Sequence, residues 1–306
     1  MTTLLQKSEI LFLYESIFSI PNGDPFTGEQ RYDDETKKVL VSDVRIKRFI
    51  RDYLDEQGHE IYLIWKNKEK EEDKNNQEKK EKSSGSSLRM KQLKDKYKDK
   101  YKDIEEILKQ CIDVRLFGGI STEKSYSANI TGPVQFAILN PSLNKVNLRM
   151  HQNTTVFPSS AEKNQGSIGT TTIVPYSVNQ IHGWINPYSA KYSGLTEEDV
   201  KIMFKALWDS INNANTRTKS NQNSLLLMNI IYNNPSKKLY GLDNIIKLKS
   251  DNKTDEEFRN IKDFEFNFDE LFNIISDNDV IVKFYSEIPK IIDKFKTQNK
   301  FEAIIL

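Results

Sequence analysis

Between Lys37 and Arg51 the chain carries six basic residues and a single acid, Asp43. Arg presents a planar fork of donors and Lys a point charge, so such a cluster could grip phosphate groups. Over residues 42–54 the apolar positions Ile46, Phe49, Ile50, Tyr53 and Leu54 recur at helical spacing, with Ser42 placed to cap the helix. At about 100° per residue, Arg45, Lys47, Arg48 and Arg51 fall on the opposite arc. Asp52 is the one acid among them, and no i, i+4 Glu–Lys pair neutralises them. A solvated helix face is the bland alternative, and the imbalance of charge favours phosphate binding. A second tract, Gly118 to Tyr192, holds five Lys/Arg and only two acids, Glu123 and Glu162, across 75 positions. A surface poor in carboxylates suits a polyanion, because fixed negative charge repels phosphates. Within it, Lys145 to Tyr176 sets Arg149, His151, Phe157 and Tyr176 among many hydroxyl and amide side chains. Single-stranded RNA is held by backbone cradling with apolar or aromatic wedges against its bases, and this composition fits that task.

For catalysis the material is thin. His59, His151 and His182 have neither i, i+4 spacing nor a carboxylate partner in sequence, and each reads as structural or surface. No HExxH, Walker A, GxSxG or GxGxxG pattern is present, so Gly118-Gly119 is not a phosphate fingerprint. Asp24, in Pro21-Asn-Gly-Asp-Pro25, is the one carboxylate that could orient a 2′-hydroxyl or hold a metal ion. The competing reading is turn chemistry, in which Asx side chains bond the backbone and Gly23 takes positive φ. A single cysteine, Cys111, excludes an internal disulfide framework and a Cys-based zinc site, and reads as a small buried hydrophobe.

The elements that would position these residues belong to a 306-residue chain of formal charge +1. Its 37% hydrophobic content is low, yet 16 Phe, 13 Tyr and 3 Trp can build a core, which rules out disorder over most of the length. No apolar run approaches the ~20 residues a bilayer needs, and Met1 to Glu9 lacks a secretory pattern, so a reducing cytoplasm is the expected compartment. Glu9–Ile20 reads as a strand buried on both faces and His59–Trp65 as a second strand. Lys66–Asp103, with 14 basic and nine acidic residues, reads as an exposed insertion with almost nothing to bury. Asp103–Cys111 looks helical and Gly132–Leu139 a strand, while Lys145–Pro158 and Gly169–Tyr188 could form the arms of a long β excursion. Thr196-Glu-Glu-Asp199 opens a helix with Val200, Met203, Phe204, Leu207, Trp208 and Ile211 as its buried stripe. Leu225–Tyr232 is another buried strand. Stripped of insertions, the order is α+β and resembles a ferredoxin-like βαββαβ arrangement. Asp251–Asp279, with ten acids and three bases, segregates charge in a way that suits head-to-tail contacts.

Several of these residues carry a resemblance. Ser8-Glu-Ile-Leu-Phe-Leu-Tyr14, Pro21-Asn-Gly-Asp-Pro25 and Val41-Ser-Asp-Val-Arg-Ile-Lys-Arg-Phe-Ile-Arg51 resemble the start of the Cascade backbone subunit, the Cas-seven family of type I CRISPR systems. Asp113-Val-Arg-Leu-Phe-Gly118, Thr131-Gly-Pro-Val-Gln135, Gly169-Thr-Thr-Thr-Ile-Val-Pro-Tyr176, His182-Gly-Trp184 and Thr196-Glu-Glu-Asp-Val200 follow in order. The similarity spans residues 8–235 and is closest to the type I-B branch. It departs at Ile20-Pro-Asn22, where an Asn often precedes Pro-Asn.

The resemblance implies an RRM-like, ferredoxin-like palm (1–65 and 104–148 with 174–306), a helical finger insertion (66–103) and a β-hairpin thumb (149–173). It implies a non-catalytic subunit that stacks in copies along guide RNA, supports its pairing with target DNA, and needs no cofactor or metal. Its partners would be the guide, further copies of itself, a large subunit, a Cas-five-type cap and the guide-processing endonuclease, with no membrane. By position, Arg45, Lys47, Arg48 and Arg51 resemble the phosphate-gripping helix and Asn22 and Gly23 its adjacent loop. Arg115 would support the groove, and Arg149, His151, Thr170 and Thr171 would lie on the thumb. Two alternatives stay open, a subunit that cleaves target RNA through Asp24 and a stand-alone RNA-binding protein.

Overall fold

The computed structural model of the chain describes residues 6–64, 85–123, 126–154 and 168–306. Ile10 through Tyr14 are wholly buried in β1 (Ser8–Ser19), the central strand. A ribbon of β2 (Tyr32–Asp33) and β3 (Lys38–Ser42) leads into α1 (Asp43–Glu56), whose first turn Ser42 caps by accepting the Arg45 N–H. Three helices follow: α2 (Gly85–Tyr97), α3 (Ile104–Leu108) and α4 (Ile112–Phe117). A hairpin of β4 (Gly118–Glu123) and β5 (Tyr126–Thr131) precedes the short strands β6 (Val134–Phe136) and β7 (Leu139–Pro141). Next come β8 (Arg149–Thr154) and the long β9 (Ile168–Ile185), then α5 (Pro187–Ser193), α6 (Glu197–Asn212) and β10 (Gln222–Tyr232). The C-terminal part adds β11 (Lys247–Lys249), β12 (Glu265–Asn267), α7 (Asp269–Asp277), β13 (Val280–Tyr285), α8 (Pro289–Lys296) and β14 (Phe301–Ala303).

The main sheet is mixed and runs β14-β13-β10-β1-β9-β6, antiparallel throughout except for the β13–β14 pair. Alternation along β1 explains its unbroken apolar run. Ile10, Phe12 and Tyr14 enter one core with α1 and α6, while Leu11 and Leu13 enter another on the opposite face. That second core is an aromatic cluster in which Phe295 packs against Phe268, Phe272, Phe284 and Phe301. The α6 stripe from Val200 to Ile211 is buried as its spacing predicts, and Thr196 and Asp199 complete the capping box.

Several expectations change. His59–Ile64 form no strand, and Trp65 lies outside the described residues. That segment is held instead by Asp113, whose Oδ1 accepts the Tyr62 N–H at 2.8 Å and whose Oδ2 accepts the Leu63 N–H at 3.0 Å. Gly132–Leu139 divides between β6 and the start of β7, because β6 pairs with β9 and β7 with β3. Asp103–Cys111 is α3 plus the residue that opens α4. The insertion has something to bury after all: Met90 and Leu93 of α2 pack with Ile107, Leu108, Val114 and the buried Cys111. Its earlier part, 66–84, lies outside the described residues, as do 155–158 of the first excursion arm. Gly118-Gly119 serves packing, since a Cβ on Gly118, at φ 82°, would fall 2.3 Å from the Ile130 carbonyl oxygen.

Candidate nucleic-acid interface

The loop before α1 is locked to it. Asn22 is buried, and its Oδ1 accepts the Ser42 N–H at 2.7 Å while its own N–H donates to Gln30 Oε1 at 2.9 Å. Gly23 pairs with Gln30 as an isolated bridge and lacks the positive φ expected of it; Gly28 takes that role at φ 72°. Asp24 does turn chemistry. Its Oδ1 accepts the Phe26 N–H at 2.9 Å, its Oδ2 lies 3.0 Å from Arg31, and the Phe26 bond helps hold its carboxyl below the ordinary value.

The four bases of α1 do not share one exposed arc. The helix is covered on more than its apolar stripe, because α4 and β6 press on a flank that also carries cations. Lys47 donates to Asp43 at 3.2 Å, the i, i+4 partner that a search for Glu overlooks, and to Gln135 Oε1 at 3.1 Å. Arg48 faces outward but is bound by Asp52 at 2.6 and 2.7 Å. Arg51 is buried, 2.9 Å from Asp113 Oδ2 and over the Phe117 ring. Arg115 is likewise engaged. It forks onto Asp199 at 2.6 and 3.0 Å and donates to the Lys109 and Gln110 carbonyls.

Arg45 differs. Its guanidinium lies 3.7 Å from the Phe49 ring centroid, its Nε is buried without a partner among the described residues, and burial lowers its pKa. Beside it are two groups that sequence reasoning missed. The Tyr14 hydroxyl is fully buried and has no partner among the described residues, and Lys219, from the α6–β10 connection, donates to the Ile20 carbonyl. A signal for Lys219 existed: Arg217 and Lys219 lie in a stretch without carboxylates from Ser210 to Leu242.

Away from α1, β8 and β9 form an antiparallel hairpin that pairs Arg149 with Ile173, His151 with Thr171 and Gln152 with Thr170. Arg149, Met150, His151 and Thr170 are exposed and Thr171 half-buried. The tip, including Phe157, lies outside the described residues. The base is anchored where Asn144 Oδ1 accepts the Val178 N–H at 2.8 Å and Tyr32 donates to the Val146 carbonyl at 2.6 Å. His182 is elsewhere, sharing buried Glu9 with Trp184 and Tyr232. The structure thus joins Asn22, Gly23 and Arg45 at one end of β1, and the hairpin is rooted at the same end of that strand, where Ser19 pairs with Val174 and Ile173 with Arg149. Among the described residues no group of His, Cys, Asp or Glu is arranged to hold a metal ion, and no helix is long and apolar enough to cross a membrane.

A Haloferax volcanii protein described as CRISPR-associated protein Cas7 is 27% identical over 299 residues, covering 88% of this chain and 82% of its own length. A solved chain described as "CRISPR RNA-guided surveillance complex, pre-nicking" matches the fold with a TM-score of 0.55 at 12% identity, covering 93% of both chains. Another, "CRISPR RNA-guided surveillance complex", gives 0.51 at 15% identity and covers 93% of this chain and 90% of its own. The profile of the family described as CRISPR-associated protein Cas7 matches residues 6–269, and the chain belongs to that family.

Proposed function

We propose that this protein is a guide-RNA-binding backbone subunit of a type I CRISPR surveillance complex, closest to type I-B, that stacks head to tail along the guide. Family membership and the likeness in fold to surveillance-complex chains support this reading. The observation that carries it is Arg45, a half-buried cation whose buried Nε has no partner among the described residues, beside the Asn22 loop, on a chain that also exposes Arg149 and His151. A desolvated cation without a partner is costly, and a phosphate is the natural compensation.

The strand order β10-β1-β9-β6 with α1 and α6 on one face supports a ferredoxin-like palm comprising 1–65, 104–148 and 174–306. Residues 66–103 are the finger and 149–173 the thumb. Asn22, Gly23 and Arg45 form the principal phosphate contact, with Arg48 and Lys47 able to exchange carboxylate partners for phosphate. Arg149, His151, Thr170 and Thr171 press on RNA from the thumb, whereas Arg51 and Arg115 act by holding α1 and α4. The guide, not the protein, reads target DNA, and the remaining partners are further copies, a large subunit, a Cas-five-type cap and the guide-processing endonuclease, in the cytoplasm. The subunit is non-catalytic, a reading supported by the turn bonds of Asp24.

The test is co-purification from cells, sequencing of bound RNA and nuclease footprinting. One RNA length protected at regular intervals is expected, lost in Arg45→Glu. Heterogeneous RNA without periodic protection, or an Arg45→Glu variant that retains guide RNA, would sink the backbone reading. Metal-dependent RNA cleavage that vanishes in Asp24→Ala would instead favour the nuclease.

A further inference from the structure

At the end of β1, Lys219 reaches across from the α6–β10 connection to donate to the Ile20 carbonyl. It lies close enough to Arg45 for the two positive charges to oppose each other. Neither forms an ion pair with a carboxylate among the described residues. The acid that acts on Arg45, Asp52, is already bound bidentately by Arg48, whose charge also opposes Arg45. The buried Tyr14 hydroxyl, the third group facing Arg45, has no hydrogen-bond partner among the described residues. Two half-buried like charges thus oppose each other beside a buried, unused hydroxyl. An anion between the cations would reverse that.

We propose that Lys219, held on the Ile20 carbonyl beside the Asn22 loop that is tied to Ser42 and Arg45, is the second cation of a two-pronged site, shared with Arg45, that takes one phosphodiester group of single-stranded RNA. The proposal rests on the RNA-binding reading above and adds a residue from a connection outside α1, together with a linkage to pH. Burial, then repulsion from Arg45, brings the Lys219 pKa down to about 7 in the free chain, from the ordinary 10.5. A neighbouring phosphate raises it again. The signs are opposite for the two states. Between about pH 7 and about pH 10 the unfolded chain binds more protons than the empty folded one, so the free protein gains stability as pH rises. RNA affinity falls over the lower part of the same window, because the bound state must take up the proton that the free state has released.

The experiment measures binding of a labelled single-stranded oligouridylate to the full chain at constant ionic strength from about pH 6 to about pH 9. Wild-type affinity should weaken about tenfold per pH unit at most above pH 7, since one proton is linked. Lys219→Arg should bind tightly with little dependence on pH above 7, because a guanidinium stays charged. Lys219→Met should bind about tenfold more weakly at low pH, lose the same dependence, and melt at a higher temperature because a desolvated charge is gone. His151 is present in all three proteins, so a slope that persists in Lys219→Arg would belong to another group and overturn the proposal. Wild-type affinity independent of pH, or undiminished affinity in Lys219→Met, would also overturn it. In either case continued binding of RNA, lost in Arg45→Glu, would leave the RNA-binding reading standing. Failure of the wild-type chain to bind RNA at all would sink both.

Discussion

Arg45 and Arg51 lie six positions apart on α1 and differ in their partners. Arg51 is 8% exposed and completes the Asp113 carboxylate, which also gathers the Tyr62 and Leu63 N–H groups and so fastens the chain between α1 and α2. Removing one partner of a buried pair leaves an uncompensated charge, a cost of about 3–5 kcal/mol. Arg51→Ala should therefore lower stability by that order in a chemical denaturation series, with loss of RNA binding following from unfolding. A variant that melts normally but fails to bind RNA would move Arg51 to the interface itself.

Besides their shared apolar core, α4 and α6 are joined through the Asp199 carboxylate. Asp199 accepts the Thr196 N–H at 3.1 Å as the return bond of the capping box, and it receives the Arg115 fork. Burial alone would raise its pKa, but the hydrogen bonds and charge of Arg115, with the cap, hold it below the ordinary value. A lowered carboxylate contributes stability above its unfolded pKa and loses it as pH falls through the folded one, below about pH 4. Thr196→Ala removes only the cap and should cost about 1 kcal/mol. Asp199→Ala breaks cap and fork together, should cost at least twice as much as Thr196→Ala, and should flatten the acid limb of the stability profile. Equal losses for the two variants would show that the fork to Arg115 adds nothing.

The described strands of the hairpin proposed to meet RNA carry no carboxylate. The acidic 251–279 segment lies near the hairpin base, where Asp255 Oδ2 accepts the Lys145 N–H at 3.0 Å, and the exposed strands of the hairpin carry Arg149 and His151 without an acid. Each phosphate neutralised on a single strand contributes about 0.7 to the slope of log affinity against log salt. Arg149→Gln, at an exposed position, should leave the melting temperature unchanged and reduce that slope by about 0.7. An unaltered slope would remove Arg149 from the contact set. Because β9 is both the inner arm of the hairpin and a central strand, the hairpin is rooted in the main core.

Local pattern was enough for much of this architecture. The run from Glu9 to Ile20, the Ser42 cap, the α6 stripe and the Thr196 box are short-range signals, and the polypeptide obeys them because burial period and capping depend on neighbours in sequence. The family motifs added the order of elements. The partners of the cations were not legible. Arg51 meets Asp113 across 62 positions and Arg115 meets Asp199 across 84, so periodicity assigned to an open arc residues that packing encloses. The aromatic core under the C-terminal helices was missed for the same reason, since Phe266, Phe268, Phe284 and Phe295 come together only when the second sheet face is covered. Amino-acid order determined which residues could bear charge near α1. Tertiary packing decided which of those charges would be neutralised and which, Arg45 and Lys219, would stay half-buried with no carboxylate partner among the described residues, because charge compensation depends on distance in space and not on separation along the chain.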